Sequence, residues 1–222
     1  MNDEQPRELR RPNAALPLGA PAEEDASAQL RGTPREVLRR LCEGDPLGLA
    51  ARCDQHLRSS GILLDAARLL PATAARVAHD ARMYRDEDSL DDFLERCIQS
   101  AARLLLQRDL EAHRSGLPAG PPGDPRLVAL ASTLGLEPAL LPTTMLRINC
   151  LPRSVRRAFR ALFLDGLTPG EHARQAGSTR PEVLANARLA LEVVARPGRP
   201  DRHLDRSLGL AQLEGRGGSD RG

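Results

Sequence analysis

The chain has 222 residues, 41% hydrophobic and only 2% aromatic, which excludes a core built on aromatic packing and favours helices made from Leu, Ala and Val. All 32 basic residues are Arg and the net charge is +2, so the abundance of Arg does not by itself indicate a nucleic-acid partner. Residues 147–197 nevertheless carry nine Arg against four acidic residues, whereas residues 33–116 carry thirteen against fourteen, and the basic excess therefore lies in the C-terminal part.

Helix starts are the clearest local signals along the chain. Four stretches place a hydroxyl side chain three residues before an acidic residue, which is the pattern of a capped helix N-terminus. These stretches begin at Thr33, Ser89, Thr168 and Thr179. No alternating β pattern competes with them. We predict an all-α fold with helices at 34–43, 46–59, 61–69, 72–85, 90–113, 152–164, 169–176 and 180–195, and a short helix within 125–146.

The segment between the helical stretches predicts two domains. SGLPAGPPGDP, residues 115–125, holds four Pro and three Gly, a composition typical of a linker. Both ends of the chain lack periodicity and are expected to be flexible tails. We therefore predict two small helical domains joined by a Pro/Gly-rich linker, with these boundaries: tail 1–32, domain 33–116, linker 117–144, domain 145–197 and tail 198–222.

The second predicted domain contains the pattern of a helix-turn-helix. Its first helix has an apolar stripe at Val155, Phe159, Leu162 and Phe163. In the stretch GEHARQAGSTRPEVLANARL, residues 170–189, a small Ala allows two helices to approach, a Gly suits a tight turn with positive φ, and a Val anchors the second helix. These three residues are Ala173, Gly177 and Val183.

A helix-turn-helix projects the first residues of its second helix into the major groove of DNA, and flanking Arg side chains bind phosphates. We expect Arg180 to bind guanine and Asn186 to bind adenine. The DNA-binding set comprises Arg174, Arg180, Glu182, Ala185, Asn186 and Arg188. An open alternative is a helical hairpin with no role in DNA binding.

The remaining residues indicate neither an enzyme nor a metal site. The four Cys, at 42, 53, 97 and 150, lack paired spacing and are expected to be reduced. Cys53 and His56 lie three residues apart, but no second ligand pair lies at zinc-finger spacing. Phosphate loops and nucleophile motifs are absent from the sequence, so no cofactor is expected. With no apolar run near the roughly 20 residues of a membrane span, we expect a cytoplasmic protein with no membrane partner.

The C-terminal segment LPRSVRRAFRALFLDGLTPGEHARQAGSTRPEVLANARLALEVV, residues 151–194, resembles the promoter-reading region of bacterial RNA polymerase sigma factors of the extracytoplasmic-function type. The resemblance rests on the opening Leu151-Pro152, the triplet Asp165-Gly166-Leu167, the Ala173/Gly177/Val183 turn and Ala190. It implies that this domain binds the −35 element of promoter DNA.

The N-terminal half is similar to the same family in three stretches. The opening of the family's first domain is similar to LRRLCEGDPLGLAARCDQHL (38–57). The family's helix that binds the polymerase clamp is similar to PATAARVAHDARMY (71–84). The family's helix that melts the −10 element is similar to SLDDFLERCIQSAARLLLQRD (89–109). This resemblance implies contact with core RNA polymerase through Arg76, His79 and Asp80. An anti-sigma protein is a further partner of the family.

Several positions differ from the family pattern. Where the clamp-binding helix usually has acids and a Gln, this chain has Ala75-Arg76 and His79. Where the −10 helix usually has Trp, Asn and Asp, it has Phe93, Ser100 and Leu104, and two usually basic positions of the promoter-reading helix are Leu184 and Asn186. The main hypothesis is a divergent sigma-like initiation factor. The alternatives are a sigma-shaped protein-interaction module that has lost promoter recognition and a plain helix-turn-helix repressor.

Overall fold

The structure, a computed structural model, describes residues 28–85, 89–117 and 122–196. In these ranges the chain is helical and contains no β-strand, which confirms the predicted all-α class. The α-helices in chain order are α1 (Pro34–Gly44), α2 (Leu49–Ser60), α3 (Ala66–Asp80), α4 (Leu90–Arg114), α5 (Pro125–Thr133), α6 (Leu141–Asn149), α7 (Arg153–Phe163), α8 (Pro169–Ala176) and α9 (Arg180–Val194). Short 3-10 turns follow α3 at Ala81–Met83 and precede α6 at Pro138–Leu140.

The capping signals in the sequence mark real helix starts. Complete capping boxes open α1, α8 and α9. In each box the hydroxyl of a Thr accepts a hydrogen bond from the backbone N–H of the Glu three residues later. The carboxylate of that Glu in turn accepts one from the backbone N–H of the Thr. Ser89 accepts the Asp92 N–H at the start of α4. Each cap satisfies backbone groups that have no partner inside the helix, and these predicted starts are confirmed.

One long helix stands where the sequence predicted two. The predicted helices 61–69 and 72–85 were separated at Pro71, but α3 runs continuously with Pro71 in its interior. Proline removes one helical hydrogen bond and normally kinks or breaks a helix. Buried Leu69, Thr73 and Val77 lie on both sides of Pro71, so packing of this face outweighs the lost bond. Residues 61–65, predicted as helical, form a non-helical connection instead.

The start of α2 is also shifted from the predicted position 46 to Leu49. Asp45 adopts a left-handed backbone conformation with φ 47°. Its carboxylate accepts the N–H groups of Leu49 at 2.6 Å and Ala50 at 2.9 Å. The side chain of Asp45 therefore caps the helix from outside, and the residues between Asp45 and Leu49 form the turn.

Helices α1–α4, here called the N-terminal group, enclose an apolar core. Val37 and Leu41 of α1 pack with Val77 of α3 and Leu94 of α4. Leu30 also belongs to this core and is 4% exposed, which corrects the prediction of a flexible tail over 1–32 at its C-terminal end. Residues 1–27 and 197–222, which hold the rest of both predicted tails, lie outside the described residues.

Helices α5–α9, the C-terminal group, share a second core, and the predicted linker 117–144 contributes to it. Leu127 and Leu130 of α5 and Leu141 of α6 are buried together with Phe159 of α7. The α5 helix forms because Asp124 caps it with Pro125 at its first position. Residues 125–133 of the predicted linker 117–144 form α5, in agreement with the predicted short helix within 125–146. The predicted boundary at 145 lies inside α6, and the division into domains and linker stays a prediction.

The two helix groups are in direct contact through α2 and α7 and through α4 and α6. The predicted division into two separable domains stays a prediction. Among the described helices, none is long and apolar enough to cross a membrane by itself; residues 125–133 and 138–149 reach that length only as a pair bent by 112°.

Candidate nucleic-acid interface

The candidate interface is built on α7, whose apolar stripe packs inward as predicted. Val155 and Phe159 are buried, and Phe163 packs on Phe159 with ring centroids 4.9 Å apart. The helix α9 lies against this stripe through Ala190 and Val194. Because these contacts occupy one side of α9, its opposite side is exposed to solvent.

At the connection between α8 and α9, Gly177 has the positive φ that the sequence predicted. Gly177 ends α8 with φ 62°, and its N–H donates to the carbonyl of Ala173. Ala173 and Val183 are buried together with Ala158 of α7. The turn residues therefore fix the angle between α8 and α9, and α9 begins at the surface with Arg180.

Most of the predicted DNA-binding side chains are exposed on α8 and α9. Arg180, Ala185 and Arg188 of α9 and Arg174 of α8 are exposed, and Asn186 is half-buried. The Arg188 side chain is 85% exposed and lies 3.9 Å from Glu192, a distance at which an exposed ion pair contributes little to stability. The surface thus presents three accessible guanidinium groups close to the N-terminus of a helix.

Glu182, which the sequence places both in the capping pattern of α9 and in the DNA-binding set, takes part in the cap. Its carboxylate accepts the Thr179 N–H at 2.8 Å and the Thr179 hydroxyl at 2.9 Å. The backbone hydrogen bond from Thr179, followed by the hydroxyl, lowers the pKa of Glu182. A carboxylate held in this way completes the capping box of α9, so the structure argues against direct base reading by Glu182.

His172, on the inner side of α8, adds no positive charge to this surface. It is buried, and burial first, then the neighbouring Arg157, lowers its pKa below the ordinary value. Its imidazole is therefore neutral at pH 7. The positive charge of the surface comes from its Arg side chains and from the N-terminus of α9.

Large apolar side chains are also exposed on α9. Leu184 is 47% exposed, Leu189 is 50% exposed and Leu191 is 36% exposed. Leu184 and Leu191 are seven residues apart and so lie on the same edge of the helix. This apolar edge separates Arg180 from Arg188, and it offers no hydrogen-bonding group to a base.

The predicted polymerase-binding residues form a compact ionic cluster at the end of α3. Arg76 Nε lies 2.6 Å from Asp80 Oδ2, and His79 Nδ1 lies 2.7 Å from Asp80 Oδ1. The Asp80 side chain is only 9% exposed, whereas those of Arg76 and His79 are 45% and 62% exposed. Asp80 therefore binds groups of its own helix, and Arg76 and His79 form the accessible part of the cluster.

Sequence reasoning missed the contacts that α7 makes with the N-terminal group. Arg153, Arg156 and Arg160 do not belong to the predicted apolar stripe of α7, but Arg160 is only 3% exposed. All three donate to backbone carbonyls at the end of α2 or just after it. The available signal was their spacing of i, i+3 and i+7, which places three guanidinium groups on one helix face.

The Cys53 and His56 pair, weighed as a metal site from the sequence, has other partners. Cys53 Sγ lies 3.5 Å from the hydroxyl of Thr73, and His56 Nδ1 lies 2.9 Å from Glu95 Oε1. Within the ranges that the structure describes, no group of three or more potential ligands could hold a metal ion.

Comparison with protein-family models, curated proteins and solved structures found no match to this chain.

Proposed function

We propose that this chain is a divergent sigma-like transcription initiation factor. In this proposal α8, the turn at Gly177 and α9 form a helix-turn-helix that binds promoter DNA, and the N-terminal group binds core RNA polymerase. The observation that carries it is the placement of α9: one side packs on α7 while its first turn, with Arg180, is exposed beyond a left-handed Gly177. Major-groove binding requires this combination of a fixed helix and an accessible N-terminus.

DNA binding through this surface depends mainly on phosphate contacts. Arg174, Arg180 and Arg188 are exposed, and exposed Arg side chains commonly bind DNA phosphates. Arg180 and Asn186 supply the base-reading groups, since Glu182 completes the helix cap and Ala185 has no polar atom. We therefore infer modest sequence specificity and strong salt dependence.

Polymerase binding in this proposal uses a cationic surface. The Asp80 carboxylate is held by Arg76 and His79, so the accessible groups of this cluster are a guanidinium and an imidazole. Such a surface complements an acidic patch on polymerase or on an anti-sigma protein. Replacing Arg76 by Asp would place a second carboxylate beside buried Asp80 and destabilise α3, so Arg76→Gln is the better probe of this contact.

The proposal is tested by co-purifying the full chain with core RNA polymerase from the native host and sequencing the bound DNA. Wild-type protein is expected to retain polymerase and enrich a common upstream element. Arg180→Ala should retain polymerase and lose the enrichment, while the matched Arg39→Ala, an exposed Arg on α1, should behave as wild type. Absence of both polymerase and enriched DNA from the wild-type sample would overturn the proposal.

A second candidate function is a sigma-shaped protein-interaction module, favoured by the exposed leucines of α9. Leu184 and Leu191 form an apolar edge between two arginines, which suits a protein partner better than a DNA groove. The plain repressor explains the C-terminal group alone and predicts a dimer on a palindromic site.

Leu184→Arg distinguishes the two leading candidates. Leu184 is 47% exposed, so the substitution leaves the core intact and adds a cation beside the proposed DNA surface. An initiation factor should bind DNA more tightly after this change. An interaction module should instead lose its protein partner and gain no DNA binding.

A further inference from the structure

The N- and C-terminal groups are joined by an amide–backbone pair in the connection between α2 and α3. Asn149, at the end of α6, accepts the Leu63 N–H at 2.8 Å through Oδ1 and donates to the Leu63 carbonyl at 2.8 Å through Nδ2. Both residues are at least 98% buried. One side chain therefore satisfies both backbone groups of a buried residue in the other helix group.

Three arginines of α7 make the second part of this contact. Arg153 donates to the carbonyl of Ser59 at 2.9 Å, Arg156 to that of Ser60 at 3.5 Å, and Arg160 to that of Ile62 at 3.3 Å. Carbonyls at a helix C-terminus lack intrahelical partners and carry partial negative charge, so guanidinium groups bind there favourably. We call these three bonds and the Asn149–Leu63 pair the latch.

The charges beside the latch are balanced within each helix group. In the N-terminal group Arg58 lies 2.8 Å from Asp54, and in the C-terminal group Arg160 lies 3.6 Å from Asp165. The bridges between groups run from Arg160 and Arg126 to Asp54 and from Arg58 to Asp165. Arg126 also pairs with Asp124 of its own group, so every charge in these bridges keeps a counter-ion of its own group after separation, which reduces the electrostatic cost of opening.

The apolar packing at this interface is incomplete. Leu63 inserts into the core of the C-terminal group, and Leu110 of α4 packs on Leu146 of α6. A pocket of about 50 Å³ lies at this interface and is lined by side chains of both groups, including Leu106 and Met145. The two groups therefore leave a small gap between them at this point.

We propose that the latch opens and closes as a unit in the folded protein, so that the two helix groups separate while most of each core stays in place. The latch bonds are polar and are replaced by water on opening. Leu63 then leaves the core of the C-terminal group, and Leu110 loses its contact with Leu146, while the other core residues of both groups stay buried. The consequence of opening rests on the proposed function: release would let the α3 cluster and the α9 surface bind polymerase and DNA at a separation that the closed form does not allow.

Native-state hydrogen exchange of the full chain tests this proposal without DNA or polymerase. The Leu63 amide reports on the latch, and the amides of Ile98 in α4 and Phe159 in α7 report on the two cores. If the latch opens as a unit, Leu63 exchanges faster than both core amides when exchange follows the opening equilibrium. Equal exchange of all three, through global unfolding only, would overturn the proposal.

Matched substitutions of two exposed arginines sharpen the test. Arg153→Ala removes the bonds to Ser59 and should speed Leu63 exchange by about 2- to 10-fold, the effect of one net hydrogen bond, with the core amides unchanged. Arg188→Ala, on α9 and outside the latch, should change none of the three. If Arg153→Ala left Leu63 unaffected or accelerated all three amides equally, the latch would not be a separate opening unit. Hydrogen exchange is measured here without DNA or polymerase. A result that overturns the latch would therefore not bear on the DNA-binding proposal, which has a separate test.

Discussion

At Gly61, between α2 and the Leu63 contact, two independent requirements exclude other residues. Its φ is +71°, a conformation that residues with a Cβ adopt at a cost. A Cβ at this position would also lie 2.5 Å from the backbone nitrogen of Arg157 in α7. Gly166 has a similar φ of +68°, but no atom lies within 4 Å of the position that a Cβ would take. A substitution at Gly166 therefore measures the backbone strain alone, whereas one at Gly61 measures the strain together with the close approach of α7.

Gly61→Ala should therefore destabilise the protein more than Gly166→Ala. The control should lose about 1–2 kcal/mol for the left-handed conformation, and Gly61→Ala should lose about 1–3 kcal/mol more because α7 must move. Denaturant unfolding of both variants measures the difference. Equal losses would show that α7 does not approach Gly61 as closely in solution as in the structure.

At the scale of single elements, the helix starts were predictable because their signals are local. A Thr followed by Pro and Glu specifies a capping box within four residues, as at Thr168 and Thr179. The continuity of α3 through Pro71 was not predictable, since buried contacts with other helices outweigh the local signal. The α5 helix was predicted as the short helix within 125–146, but its place in the fold was not: its leucines pack in a core to which the Pro-rich stretch before it gives no clue.

The capping box of α9 predicts a pH dependence of stability. Hydrogen bonds from Thr179 lower the pKa of Glu182 below its ordinary value of 4.5. Its stabilising contribution is therefore complete well above pH 4.5 and is lost as the pH falls through the lower, folded-state pKa. Glu182→Gln keeps the acceptor of the capping box and removes the titration.

Thermal unfolding of wild type and Glu182→Gln between pH 7 and pH 3 tests this dependence. At pH 7 the wild type should have the higher Tm, because a carboxylate also interacts favourably with the helix N-terminus. The difference should shrink as the pH falls below 4.5. A difference that stays constant across this range would contradict the assigned role of the Glu182 carboxylate.

At the scale of the whole molecule, the sequence did not predict the contacts between the helix groups. The bonds from Asn149 to Leu63 and from Arg160 to Ile62 join residues 86 and 98 positions apart. No local pattern specifies such pairs, whereas the apolar stripe of α7 and the turn at Gly177 follow from periodicity and backbone preference. The exposed arginines of the candidate interface were predictable for the same local reason. The sequence could not decide between helix capping and base reading for Glu182, because a carboxylate at this position suits both roles.

The most direct test of the proposed function is a titration of the full chain with random-sequence duplex DNA as the salt concentration is varied. If α9 binds DNA, affinity should fall steeply between about 50 and 200 mM salt as phosphate contacts release counterions. Arg180→Ala should weaken binding and lower the salt slope by about 1 if its side chain binds a phosphate, with Arg39→Ala as the unchanged control. Absence of salt-sensitive binding at micromolar protein, in the wild type and in Leu184→Arg alike, would contradict the assignment of α9 as a DNA-binding helix.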